Sequence, residues 1–342
     1  MVYKVSSSEK LRKTGADSET KALLFLMNFS NAKNEIHYFI IDFFNDVTGM
    51  NSSSTKLWDV QSKGKKSSTP KEIGRELVTL FKNYLSDFDF DGYGLFLAGV
   101  SPTFREDKTK NIFGFENVSD RAKESVKNGL KEESEDKTYI DSSEITNENI
   151  NGFLNEVLFI IDDKTKAEYI KEIIKEHPKI IADDDVLETI FEEIKKEQSN
   201  KKDMSIVEGI EISSVDEVMN FYRHLTNGEI KLLTLQRIIN RNPVAEGVPI
   251  GFMPFVQQVN APVQKDVIEE CKRTLISALF NKNASQEFWE LFAEIYSLIV
   301  NSPTDDVQEL FNKLDKKLIE SHPNFDILST KYFIAVIKEG IV

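Results

Sequence analysis

The chain of 342 residues predicts an α/β domain with a mixed sheet flanked by helices, followed by an all-α domain. Two observations point to the first domain. Residues 17–100 read as helix, strand, strand, helix, strand. The last helix crosses between two apolar strand patterns, 56–63 and 93–100, and such a crossover joins neighbouring parallel strands. The third observation is a change of character near residue 150, beyond which only helical periodicities recur. The expected division is 1–145 and 146–342.

Taken in order, "DSETKALLFLMNF" (17–29) opens on Asp17 or Ser18 as an N-cap and continues as an apolar helix. "EIHYFIIDFFNDV" (35–47) is aromatic and β-branched, which suits one long strand or two short ones. "KLWDVQSK" (56–63) alternates as a half-buried strand does. "TPKEIGRELVTLFKNYLSDF" (69–88) carries Thr69 as N-cap, Pro70 at the first helical position and Glu72 at the third. Its apolar face is Ile73, Leu77, Leu80, Phe81 and Tyr84. "YGLFLAGV" (93–100) is a short buried-type strand. A short strand near 112–115, a helix and a polar connector near 131–150 follow. Residues 150–203 mix Asp, Glu and Lys on helices, which reads as a solvated surface. Two helices over 214–240 meet near Asn227. A Pro- and Gly-rich loop spans 242–255, and four amphipathic helices complete the chain.

The composition is that of a soluble globular protein, with 40% hydrophobic and 29% charged residues. No apolar run is long enough to span a membrane, and the N-terminus lacks a signal-peptide core. The single cysteine, Cys271, cannot pair within the chain and reads as a buried, inert thiol on a helix. A cytoplasmic location is the expectation. A net charge of −14 argues against a sequence-independent nucleic-acid coat, although a local basic strip can still meet phosphate. His37, His177, His224 and His322 have no metal-ligand spacing. No phosphate-binding GxxxxGK[ST] loop and no GxSxG elbow occurs, which removes ATP hydrolysis and that form of serine hydrolysis.

The chemistry concentrates in "NDVTGMNSSSTKLWDVQSKGKK" (45–66). Alternation puts Asp59, Gln61 and Lys63 on one face of a strand. If the two strands pair, Asp46 meets Gln61 and Lys63. Oxygen ligands suit Mg²⁺, a hard cation that activates water and offsets charge on phosphorus. A lysine alongside orients that water or stabilises the transition state. The plainer alternative is a structural hairpin in which Asp46 is a turn residue and Lys63 is solvated. Asp42 replaces Asp46 if the register differs. Lys65, Lys66, Lys71 and Arg75 form either a phosphate-contacting strip or an exposed loop and helix face. Ser67, Ser68 and Thr69 offer a helix start to phosphate or simply cap it.

This arrangement resembles the PD-(D/E)xK nuclease superfamily, with Asp46 in the first acidic position and Gln61-Ser62-Lys63 as the second half. Glutamine replaces the usual acid, so a ligand oxygen is kept but its charge is lost. Glu19 matches an extra acid of the first helix, or else favours the helix dipole. Asp59, two residues before Gln61, could restore the missing charge. More narrowly, "DVTG", "WDVQSKG" and "LVTLFKNYLSDFDFDGYGLFL" resemble double-strand DNA endonuclease domains of bacterial anti-phage systems, of the Lamassu nuclease-subunit type. The resemblance covers about a quarter of the chain. It implies a restriction-endonuclease-like fold, Mg²⁺ or Mn²⁺ held by Asp46, Gln61, Glu19 and Asp59, and a double-stranded DNA substrate. It also implies control by an SMC-like ATPase with an accessory subunit, and self-association when active. The helical part would then dock partners, with Phe288, Trp289, Phe292, Tyr296, Phe311, Tyr332 and Phe333 as surface or as core. The rival expectations are an inactive nuclease-like adaptor and an RNA-directed nuclease.

Overall fold

The structure, a computed structural model, describes residues 3–5, 15–175 and 183–341. His177 and most of the N-terminal stretch read above lie outside the described residues. The chain divides into two compact units: 1–165 with 192–227, and 166–191 with 228–342. The boundary drawn from the sequence at 145 differs because two further segments enter the first unit's sheet.

That unit opens with β1 (Tyr3–Lys4) and α1 (Ala16–Asn28). Gly15, not Asp17 or Ser18, stands at the N-cap of α1, and Asp17 and Glu19 lie in its first turn. A meander follows: β2 (Ile36–Ile41), β3 (Val47–Asn51) and β4 (Leu57–Lys63), each antiparallel to the next. The small polar run after Asn51 is therefore the β3–β4 turn, where the Asn51 side chain binds Ser53, Thr55 and the backbone of Thr55 and Lys56.

The helix expected over 69–88 forms as α2 (Pro70–Glu76) and α3 (Val78–Tyr84), broken at Leu77. Thr69 and Glu72 make the expected capping box. The chain then enters β5 (Gly92–Leu97), parallel to β4. Next come β6 (Ile112–Phe113), α4 (Asp120–Glu135), α5 (Asn147–Glu156) and β7 (Val157–Ile161), the last parallel to β5. The expectation of helix through this last segment is corrected. Val157–Ile161 is a five-residue apolar run, and periodicity cannot separate a buried strand of that length from helix.

After α6 (Lys166–Ile173) and α7 (Asp184–Lys202), β8 (Glu211–Ile212) pairs with β1, and β9 (His224–Thr226) pairs with β2. The main sheet is seven-stranded and mixed, in the order β6-β7-β5-β4-β3-β2-β9. Alternate residues of its central strands face opposite layers. Phe96 meets Phe25 of α1, whereas Leu57, Leu95 and Phe159 join Ile73, Leu80, Phe81 and Phe153 in a core under α2, α3 and α5. Two glycines bring α2 and α4 together. A β-carbon on Gly74 would stand 2.1 Å from the Val126 carbonyl oxygen, and one on Gly129 2.2 Å from that of Lys71.

The second unit is helical: α6, the first part of α7, α8 (Asn227–Ile239, from Gly228 on), α9 (Met253–Val256), α10 (Gln264–Phe280), α11 (Ser285–Asn301), α12 (Val307–Lys313), α13 (Lys316–Ser321) and α14 (Ile327–Ile341). Phe288, Trp289, Phe292, Tyr332 and Phe333 fill its core, and Tyr296 and Phe311 are half-buried. The first five hold the unit together as core, while Tyr296 and Phe311 keep part of their surface open to solvent. Cys271 is buried, and burial pushes its thiol up to about 12. Among the described residues, no helix is long and apolar enough to cross a membrane.

Candidate carboxylate and lysine site at the β3–β4 hairpin

Asp46 lies between strands, just before β3. It closes the tight β2–β3 connection, in which the Asp42 N–H donates to the Asp46 carbonyl and Asp42 adopts a left-handed conformation (φ 49°). β3 starts at Val47, opposite Val60, and the same register puts Asp46 beside Gln61. Three donors converge on one oxygen, Oδ2: Gln61 Nε2 at 2.9 Å, the Ser62 N–H at 2.7 Å and the Ser62 hydroxyl at 2.8 Å. Oδ1 takes no hydrogen bond among the described residues. Burial pushes the Asp46 carboxyl up to about 7, and the nearby Glu19 charge adds to this. Lys63 and the Ser62 donors oppose the shift.

Lys63 extends past Gln61 on the same face of β4 and pairs with Glu76 of α2 at 3.0 Å, its side chain 15% exposed. The Thr79 hydroxyl of α3 donates to Gln61 Oε1 at 3.1 Å. The amide nitrogen of Gln61, not its oxygen, therefore faces Asp46. A half-turn of the amide exchanges the two, because a threonine hydroxyl accepts as well as it donates.

Asp59 shares the face of Gln61 and Lys63, as alternation required, but it is spent elsewhere. It is fully buried. The Thr48 hydroxyl donates to Oδ1 at 2.7 Å, Asn83 Nδ2 donates to Oδ2 at 2.7 Å, and Asn45 also donates to Oδ2. Burial pushes its carboxyl up to about 6 against those three bonds. The Tyr3 hydroxyl in turn donates to Asn83 Oδ1 at 2.7 Å. Asp59 thus anchors β4 to the β2–β3 turn, β3 and α3, with both oxygens engaged.

Glu19 does reach the neighbourhood of Asp46, but it arrives with a partner. Lys202, at the end of α7, pairs with Glu19 at 2.5 Å, and the two side chains are only 13% and 16% exposed. Burial pulls the Lys202 amine down, and Glu19, Asp42 and Asp46 together more than reverse this, so its pKa stands raised. Asp42 pairs with Arg223 at 2.9 Å. Sequence reading placed Lys202 on a solvated surface. Nothing local marks it, because Glu19 lies 183 positions away. Glu76 was missed as well, sitting among the apolar positions of its helix.

The basic strip is exposed and largely neutralised. Lys65 pairs with Glu72 at 2.7 Å, and Lys71 and Arg75 share Glu132 at 2.8 and 3.2 Å. Lys66 is exposed too. Ser67 and Ser68 precede the capped start of α2, whose Thr69 serves the cap itself. Among the described residues, no three His, Cys, Asp or Glu side chains are grouped to hold a metal ion. The donor chemistry nevertheless suits a hard cation: Asp46 keeps Oδ1, Glu19 lies within its electrostatic reach, and Gln61 can turn its oxygen inward. Lys202 holds Glu19 in the arrangement seen. Comparison with models of known protein families, with curated proteins and with solved structures gave no match.

Proposed function

We propose that the chain is a Mg²⁺- or Mn²⁺-dependent nuclease acting on DNA, built on a restriction-endonuclease-like core. The observation that carries this reading is the meeting of Asp46 with the Gln61-Ser62-Lys63 segment across β3 and β4. The order α1, β2-β3-β4, α2 and α3, β5 agrees with the helix before, and the helix and strand after, that the resemblance implies. Asp46, Glu19 and Gln61 would hold the cation, whose chemistry is to activate water and offset charge on the phosphoryl group. Ser62 fixes the Asp46 carboxylate through Oδ2, which leaves Oδ1 to act. Lys63, steadied by Glu76, carries positive charge to the edge of the site, where it orients the nucleophile or stabilises the phosphorane-like charge. Lys65, Lys66, Lys71 and Arg75 border this edge, and DNA phosphates would exchange with Glu72 and Glu132 for them. Asp59 has no part in the metal site in this reading.

One observation favours the rival, a non-enzymatic adaptor: Gln61 presents its nitrogen to Asp46, as a purely structural amide would. Supercoiled plasmid and a structured RNA, each incubated with the purified chain and Mn²⁺, separate the readings. Nicking and linearisation of the plasmid with the RNA spared supports the DNA nuclease. Cutting of RNA alone redirects the substrate, and inertness toward both favours the adaptor. An SMC-like ATPase partner, an accessory subunit, self-association and a role in anti-phage defence rest on the resemblance, and co-purification from the native operon tests them.

A further inference from the structure

The end of α7 meets α1 through polar pairs at helical spacing. Lys195 pairs with Asp17 at 2.7 Å, the Thr20 hydroxyl donates to Gln198 Oε1 at 2.8 Å in a buried contact, and Lys202 pairs with Glu19. Positions 195, 198 and 202 lie on one face of a helix. A helix docked by charge and amide groups is held less firmly than one docked by apolar side chains, because water competes for every contact once it opens. This seam is also incompletely satisfied. Gln198 Nε2 is buried without a hydrogen-bond partner among the described residues.

At the inner end of the seam one ammonium faces three acids. Glu19 binds it directly, and Asp42 and Asp46 lie within its electrostatic reach. Asp42 already has Arg223. Glu19 and Asp46 are the acids read above as holding the cation, and Lys202 supplies the positive charge they need when that ion is absent. A divalent ion set against Glu19 and Asp46 would meet the Lys202 ammonium as a like charge, so the two cations compete for the same acids.

We propose that Lys202 is a built-in counter-cation which fills the cation place between Glu19 and Asp46, so that a divalent metal must expel it, and the end of α7 with it, before the site can work. This rests on the reading of Glu19 and Asp46 as metal-holding acids. The resting chain is then self-restrained, and anything that draws α7 away from α1 favours metal entry.

The test uses the full chain and Mn²⁺ alone. Bound ion is counted by the loss of the free Mn²⁺ resonance in wild type, Lys202→Met and Lys202→Arg. Removing the competing charge should tighten binding by roughly tenfold or more, Lys202→Arg should bind as wild type does, and Asp46→Asn placed in the Lys202→Met background should abolish the gain. Equal affinity in wild type and Lys202→Met overturns the inference. If Lys202→Met does not fold, wild type answers by itself. Acylation of the Lys202 amine by an amine-reactive ester, followed by peptide mass spectrometry, should rise several-fold on adding Mn²⁺, and unchanged or falling reactivity overturns the inference. Cleavage is scored separately. A Lys202→Met protein that binds Mn²⁺ more tightly but cuts nothing keeps the counter-cation and sinks the nuclease. A wild type that cuts while Lys202→Met binds no more tightly does the reverse.

Discussion

Replacing Asp59 by Asn separates a structural carboxylate from a metal ligand. The side chain is fully buried and accepts from Thr48, Asn83 and Asn45. Burial raises its carboxyl from 3.8 to about 6. A folded-state value above the unfolded one means that the fold favours the protonated acid. Its contribution is fully present below about pH 4, is lost as pH rises through about 6, and stays lost above. The difference corresponds to about 3 kcal/mol at neutral pH. An asparagine has no charge to desolvate. Its oxygen can keep the two amide donors, and its NH2 can donate to the Thr48 hydroxyl, which then turns to accept. Urea denaturation at a series of pH values from 4 to 8 gives the free energies of wild type and Asp59→Asn. Subtracting them cancels Asp46 and other titrating groups. Asp59→Asn should gain on wild type as pH rises from 4 to 7, by up to about 3 kcal/mol. Its Mn²⁺ affinity should be unchanged. A stability difference that stays flat or runs the other way would refute the desolvation argument, and loss of Mn²⁺ binding would return Asp59 to the metal site.

In the helical unit, Lys231 is 5% exposed, hydrogen-bonds the Leu279 carbonyl at 3.4 Å and the Ser285 hydroxyl at 3.2 Å, and is pulled down to about 8 by burial, with Lys175 and Lys282 adding repulsion. A lysine lowered in the fold contributes most above its unfolded value, and that stability is lost as pH falls through about 8. Lys231→Met should therefore stabilise the protein at pH 7, by up to about 3 kcal/mol, and reduce the rise in melting temperature that wild type shows between pH 8 and 10; a destabilised variant contradicts this. Gly74→Ala drives a β-carbon into the Val126 carbonyl oxygen of α4, a backbone atom that cannot swing aside. It should cost at least about 1–3 kcal/mol in urea denaturation, and a neutral result would mean that α2 and α4 do not cross so closely.

The local patterns were legible where a few residues decide them. The Thr69, Pro70 and Glu72 cap and the alternation of β4 needed no information from elsewhere in the chain. Val157–Ile161 was not legible, because a run of five apolar residues shows no alternation even though Leu158 stands exposed, and it follows α5 without a break. β3 was hidden by its Thr-Gly-Met-Asn composition. At the site, alternation correctly set Asp59, Gln61 and Lys63 on one face. It could not show that Asn45, Thr48 and Asn83 consume Asp59, since Asn83 comes from the next helix. Lys202 was beyond reach for the same reason, its role being set by a pairing across 183 positions.

The central claim is that the hairpin pairing Asp46 with Gln61-Ser62-Lys63 performs phosphodiester chemistry. It is tested most directly by supercoiled plasmid cleavage in Mg²⁺ or Mn²⁺, comparing wild type with a Lys63→Ala variant of matched urea-denaturation midpoint. Wild type should nick and linearise the plasmid, and the variant should lose at least about a hundredfold in rate, as loss of one transition-state charge does. Equal cleavage by both proteins, or inertness of both the wild type and the unrestrained Lys202→Met protein across metals and protein concentrations, would contradict the claim and leave the hairpin as a structural element.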